Sequence, residues 1–292
     1  MRVTIWGCRG SLAAPGPGTV LYGGNTSCVE VLLDDGTMLV LDAGTGIRPL
    51  GVSLAERHAG PIHLLLTHLH LDHLEGLGFF APFWRSDTEL DVWGPPSTMH
   101  SLEERIARYM SPPLFPLHLA DSPAQVTFHD VPSAPWQLGS ATILAQPVVH
   151  PGPTVGYRIE DADASFAYIP DHEPALGVDL DALPGEWISG HSLAADVDLL
   201  FHDAQLTEDE YEPRVGWGHS SVAHAVTFAR RTRARRVVLF HHDPMHTDAE
   251  LDQQEARARE LWQGPGSAPE LAFEGMVIDL AARAATADAR NR

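Results

Sequence analysis

Short, strongly apolar runs broken by turn residues organise this chain. Residues 1–6 read as a strand, and 29–33 and 37–41 read as a hairpin around Asp34-Asp35-Gly36. Further β-like runs fall at 62–66, 90–93, 126–129, 142–146, 155–159, 165–169, 198–201, 236–240 and 276–280. Helical patterns cover 50–58, 97–109, 220–231 and 247–262. The strands cluster and the helices fall between them. The pattern therefore predicts two β-rich halves with helices outside.

With 292 residues and 44% hydrophobic content, the chain can bury a sizeable core. No Ser/Gly linker, repeat or low-complexity block divides it, which predicts one domain over 1–280. Residues 281–292 lack an apolar period and are expected to fray. The Pro/Gly-rich pieces at 13–18, 111–116 and 132–135 read as loops. There is no signal-peptide pattern and no apolar stretch of about 18 residues, so a soluble, cytoplasmic protein with no membrane partner is expected. Cys8 and Cys28 match neither a zinc-finger nor a redox spacing and read as two buried thiols.

Charge changes the picture of partners. The formal charge is −20, and all 19 basic residues are arginine. Long nucleic acids are held through many phosphate contacts to basic side chains, so no such partner is expected. The densest basic run, residues 230–236, sits at the end of the 220–231 helix, where cations complement the helix dipole.

Candidate chemistry concentrates in Thr67-His68-Leu69-His70-Leu71-Asp72-His73, just after the 62–66 run. Imidazole is the commonest side-chain ligand for zinc-like ions. In an extended segment His68 and His70 point the same way, because side chains alternate. Asp72 and His73 fall where a helix is expected to begin, and aim at a different point. One short segment can therefore serve two metal ions.

The H-x-H-x-D-H string resembles that of the metallo-β-lactamase superfamily, and further matches follow in the family's order. Asp42 stands in Leu41-Asp42-Ala43-Gly44, His150 ends the run through Val149, Asp171 follows Ile169-Pro170, and His241 follows Phe240. The resemblance spans residues 3–279. It implies an α/β chain folded as a four-layer αβ/βα sandwich, with strand-end loops converging at one edge. It also implies two divalent metal ions per chain, zinc first and manganese or iron next. His68, His70 and His150 would hold one metal, and Asp72, His73 and His241 the other, with Asp171 bridging. His242 competes with His241 for the last position, and alignment of the preceding strand favours His241. Asp42 is expected to orient a ligand rather than bind metal. His172, beside Asp171, reads as a lining residue.

Two later motifs narrow the reaction. Phe201-His202-Asp203-Ala204-Gln205 and Gly218-His219-Ser220-Ser221 resemble the His-Glu-Ala-Thr and His-Ser-Thr motifs of the ribonuclease Z and cyclic nucleotide phosphodiesterase branch. Asp replaces Glu, Gln replaces Thr in the first motif, and Ser replaces Thr in the second. Carried over, Asp203 orients His219, and His219 protonates the leaving alkoxide. Asp72 counts among the catalytic groups. Ser220 and Ser221, at a helix start, suit a phosphate oxygen. The loops at 6–11 and 22–27 also resemble this branch and make Arg9 and Asn25 candidate substrate contacts. Residues 109–117 are expected to line the mouth. The long basic arm of tRNA-processing members is missing, since residues 173–201 contain no Lys or Arg. The resemblance thus implies hydrolysis of a small, cyclic-nucleotide-like phosphodiester by metal-bridged hydroxide attack. An RNA-processing nuclease and a glyoxalase II-like thioesterase of the same fold are the alternatives. Dimers are common in this branch, which allows a homodimer.

Overall fold

The computed structural model describes residues 1–280 except 59 and 265, so the fraying expected for 281–292 lies outside the described residues. The first sheet is built by β1 (Arg2–Gly7), β2 (Cys28–Leu32), β3 (Met38–Leu41), β4 (Ile62–Leu65), β5 (Glu89–Gly94) and β6 (Gln125–Asp130). The second comprises β7 (Trp136–Leu138), β8 (Ala141–Pro147), β9 (Val155–Asp161), β10 (Ala164–Ile169), β11 (Leu199–Asp203), β12 (Arg236–Phe240) and β13 (Glu270–Leu271). The chain then returns through β14 (Val277–Asp279), which pairs with β1 at the edge of the first sheet. In each sheet the half rich in helical crossovers is parallel, from β3 to β6 and from β10 to β13.

Three apolar layers explain why the strand sequences read as continuous runs. Leu39 and Leu41 of β3 meet Phe166, Phe201, Val238 and Phe240 in the core between the sheets. Met38 and Val40, on the opposite face, pack with Leu50 and Leu54 of helix α1 (Ile47–Arg57) and with Ile106 of α2 (Leu102–Tyr109). Behind the second sheet, Val237 and Leu239 pack with Phe228 of α5 (Val222–Thr232) and Leu251 of α6 (Asp248–Leu261). The short α3 (His191–Ala194) joins that layer, and α4 (Glu208–Tyr211) lies between β11 and α5 in the chain. A strand covered on both faces has no polar side, so its alternation vanishes. This is the four-layer αβ/βα sandwich.

Some element ends differ from the sequence expectation. Helix α1 begins at Ile47 rather than 50, because Pro49 falls in the first turn, where a missing N–H costs nothing. Helix α2 begins at Leu102 rather than 97, where Ser101 and Glu104 form a reciprocal capping box. Helix α5 starts after Ser221, not at Ser220. The edge strands β7 and β13 are too short to show a period. The thiols of Cys8 and Cys28 are both buried and free. Among the described residues no helix is long and apolar enough to cross a membrane.

Candidate metal centre

The parallel strands place their carboxyl ends along one edge. Asp42 follows β3, His68 to His73 follow β4, Asp171 follows β10, Asp203 ends β11 and His241 follows β12. Strand β8 runs in the same direction as β10, since both are antiparallel to β9, so His150 arrives at that edge too. After His70 the chain enters a single 3-10 turn over Leu71–His73. That turn swings Asp72 and His73 away from His68 and His70.

Two donor groups result. His68, His70 and His150 each offer one ligand atom within 4.8 Å of the others, and Asp72, His73, Asp171 and His241 do the same. Asp171 touches both groups. Its Oδ2 lies 3.8 Å from His68 Nε2, 3.7 Å from His150 Nε2 and 3.1 Å from His241 Nε2. Its Oδ1 lies 2.9 Å from His73 Nε2, yet without the alignment of a hydrogen bond. His242 is turned away, with Nε2 donating to the Ala272 carbonyl at 2.8 Å. The competition for the last position therefore falls to His241, whose left-handed backbone (φ 64°) reverses the chain at the strand end.

The rings are fixed from behind. Asp42, fully buried, accepts His73 Nδ1–H at 2.8 Å, the Thr67 amide at 2.7 Å and the Tyr168 hydroxyl at 3.0 Å. With Nδ1 committed, His73 presents Nε2 to the cluster. His150 Nδ1 donates to the Gly218 carbonyl at 2.8 Å and likewise frees Nε2. Gly10 lies flat against the His241 ring, where any Cβ would overlap it.

These residues fit divalent metal ions. His68 Nε2 and Asp171 Oδ1 are buried and have no hydrogen-bond partner, a state that a bound cation relieves. Burial pushes His68, His70 and His150 below the ordinary imidazole range, which keeps their lone pairs available. At His73 and His241 burial acts in the same sense, but Asp171 and its neighbouring carboxylates outweigh it. Both are raised, His241 to about 10. Metal must displace a proton at these two rings, so affinity at the Asp72/His73/His241 position will fall as pH drops through the neutral range. Chelator-competition titrations at several pH values check this, and a pH-independent affinity contradicts it.

Beside the cluster stands His219. Its Nδ1 donates to Asp203 Oδ2 at 2.8 Å, and its ring stacks on His241 with centroids 5.0 Å apart. Asp203 is fully buried and also accepts the amides of His172, Gln205 and Ser220 at 3.0, 3.0 and 3.1 Å. A ring nitrogen of His219 lies within 4.8 Å of ligand atoms of His150 and Asp171.

Several of the other expected substrate contacts are committed to partners within the protein. Arg9 is buried, with its guanidinium on the carbonyls of Gly23, Asp243 and His246, because it ties the first loop to the loop after β12. Asn25 gives its side-chain amide to Glu274 at 3.0 Å and lines a separate cleft with Trp6 and Arg48. Ser220 and Ser221 are buried. Ser220 donates to the His172 carbonyl at 2.6 Å and Ser221 caps α5, so neither hydroxyl is free to meet a substrate oxygen. His172 is buried against His202 and does not line the open site. Tyr109 and Leu114 do line the mouth, a cavity of about 540 Å³ that also takes in His68, His70, Arg105 and Arg108.

Sequence reading missed Glu173. This buried carboxylate accepts the Gly216 and Gly218 amides, each at 2.9 Å, and the Tyr211 hydroxyl at 2.8 Å. It thereby shapes the loop that delivers His219 and the carbonyl that holds His150. The only signal was a carboxylate two residues after Asp171 in an apolar setting. Glu173→Ala is expected to lower kcat by about 10–100-fold, the usual cost of losing an outer partner of a metal ligand, with Glu173→Gln retaining more. Steady-state kinetics with metal quantification check it; an unchanged kcat in Glu173→Ala removes the role.

Sandwich and donor set together define a metal-dependent hydrolase whose site takes divalent ions. The Beta-lactamase superfamily domain model matches residues 37–242, and the chain belongs to that family. A ribonuclease Z of Mycobacterium bovis (strain BCG / Pasteur 1173P2) is 25% identical over 286 residues, covering 90% of this chain and 94% of its own. Human tRNase Z, short form, superposes with a TM-score of 0.65 at 22% identity over 96% of this chain and 100% of its own. A diphosphatase from the PhnP family superposes at 0.67 with 19% identity over 96% and 98%. These two likenesses are of fold.

Proposed function

We propose that the protein is a phosphodiesterase acting on a small phosphodiester, with two divalent ions per chain, zinc first and manganese or iron next. The observation that carries the reading is His219 held on buried Asp203 beside the donor cluster. A general acid in that place serves a reaction with a poor leaving oxygen. The ribonuclease Z and diphosphatase names of similar proteins support phosphorus chemistry. When bound, the ions would supply Lewis-acid polarisation and an acidified water.

The chain's own residues do the rest. His68, His70 and His150 present neutral imidazoles on one side, and Asp72, His73 and His241 a mixed set on the other. Asp171 joins them. Asp203 fixes the His219 ring with Nδ1–H, so the proton for the leaving alkoxide is delivered from Nε2. Leu69, Leu71 and Leu74 give the cavity beside His70 an apolar wall.

A nuclease reading is favoured by the ribonuclease Z relatives. It is disfavoured by the −20 charge and by residues 173–201, which carry no Lys or Arg. There, Leu180, Ile188 and Leu193 pack on the α5 layer instead of projecting as an arm. We read the chain as a single catalytic unit, cytoplasmic, with neither long nucleic acid nor membrane as partner; a homodimer is compatible with this reading.

The test is hydrolysis of bis(p-nitrophenyl) phosphate by protein reconstituted separately with zinc and manganese, with bound metal measured in the same samples. Turnover with about two metals per chain supports the reading. A fully loaded protein inert toward phosphodiesters but active on a thioester overturns it.

A further inference from the structure

The cavity beside His68 and His70 has an unusual charge for this molecule. The chain carries 39 Asp and Glu against 19 Arg, yet no carboxylate lines this cavity, whose far wall holds His100, Arg105 and Arg108. Among the described residues, every arginine but Arg48 and Arg108 has its guanidinium hydrogen-bonded or ion-paired. Arg48 lies in a neighbouring cleft that shares Leu71 and Tyr109 with this cavity. Both unpaired guanidiniums therefore flank the approach to the donor cluster.

Arg108 had a partner within reach of its own helix. Glu104 stands four residues before it, the spacing and order that favour an ion pair. Instead Glu104 is turned to the Ser101 amide in the capping box and towards His100. Arg105 is tethered to the Pro95 carbonyl at 2.6 Å, and Arg108 sits close enough to repel it. Arg105 also pairs with Asp130 at 3.6 Å, so Arg108 is the cation of this wall left without a counter-charge, and a cavity wall with an unneutralised guanidinium and no carboxylate suits an anion. The cavity volume of about 540 Å³ suits one small organic ligand.

We infer that Arg108 is a specificity residue that receives a second phosphate group, carried by the alcohol portion of the substrate, while the ester phosphate lies at the His/Asp cluster. This rests on the phosphodiesterase reading for the position of the ester. Tyr109 and the leucines would contact the carbon body between the two anions. Arg105, fixed by Pro95, forms the back of the subsite.

The experiment compares two substrates, the p-nitrophenyl ester of thymidine 5′-phosphate with a 3′-hydroxyl or with a 3′-phosphate. The metal-loaded wild type should prefer the 3′-phosphorylated ester by about tenfold in kcat/KM, mostly through KM, as one partly exposed charge-assisted contact gives. Arg108→Ala should abolish that ratio and Arg108→Lys should keep part of it. Arg85→Ala, a remote surface change paired only with Asp87, should leave the ratio as it is. Binding of thymidine 3′,5′-bisphosphate against thymidine 5′-phosphate, by calorimetry on the same proteins, gives a readout without turnover. Equal binding of the two by wild type, or a preference that survives Arg108→Ala, overturns the inference. If no diester is cleaved, the phosphodiesterase reading fails, and the bisphosphate preference still decides Arg108.

Discussion

Asp72→Ala will remove metal and hydrolysis together. Asp72 lies 3.3 Å from both His73 Nε2 and His241 Nε2, and it is the carboxylate that separates this donor group from the all-histidine one. Without it, two imidazoles would share a position with Asp171 alone. Its Oδ2 also accepts the Ser11 amide at 2.7 Å, so the first loop loses its anchor at the site. The loss of rate should be at least about 10³-fold, beyond what one preorganised donor ordinarily supplies. Metal analysis should show the ion content falling in step. Thermal unfolding separates this from collapse of the fold. An active Asp72→Ala that keeps its metal would refute the assignment.

His219→Ala should behave differently. The ring stands beside the donor groups and is bound by Asp203, which has three backbone amides to hold it in place after the ring is gone. Metal content should therefore stay near the wild-type level, while kcat falls by about 10²–10⁴-fold, the ordinary value of a positioned acid. The loss should shrink with a substrate whose leaving group needs no proton, such as a p-nitrophenyl ester, and grow with an alkyl leaving group. That contrast distinguishes an acid from a mere wall. Loss of metal in His219→Ala would instead make this ring a ligand.

Legibility in the sequence followed the physics of each residue. The donor residues were readable because strands buried on both faces announce themselves as apolar runs, and each donor follows such a run. The ring nitrogen commitments were not, since Thr67, Tyr168 and Gly218 act through distant chain segments. The loop contacts misled for the same reason. Arg9 and Asn25 stand in glycine-rich loops that suit a ligand, but Glu274, far along the chain, claims Asn25, and carbonyls at 243 and 246 claim Arg9. The helix start expected at Ser220 falls one residue later, where Ser221 is spent as the cap. Arg108, in the last turn of α2, stands in no sequence motif. Only the cavity showed that its expected carboxylate partner faces elsewhere.

Asp42 also stands on a seam. One of its oxygens takes Thr67 from the first sheet, and the other takes the Tyr168 hydroxyl from the second, between aromatic rings of the inter-sheet core. The carboxylate that sets His73 is thus a rivet between the two halves of the sandwich. Ligand binding to the folded state stabilises that state by mass action. Here it would do so at the joint along which the halves must part, so metal supply would govern how long the chain survives heat and proteases as well as whether it turns over.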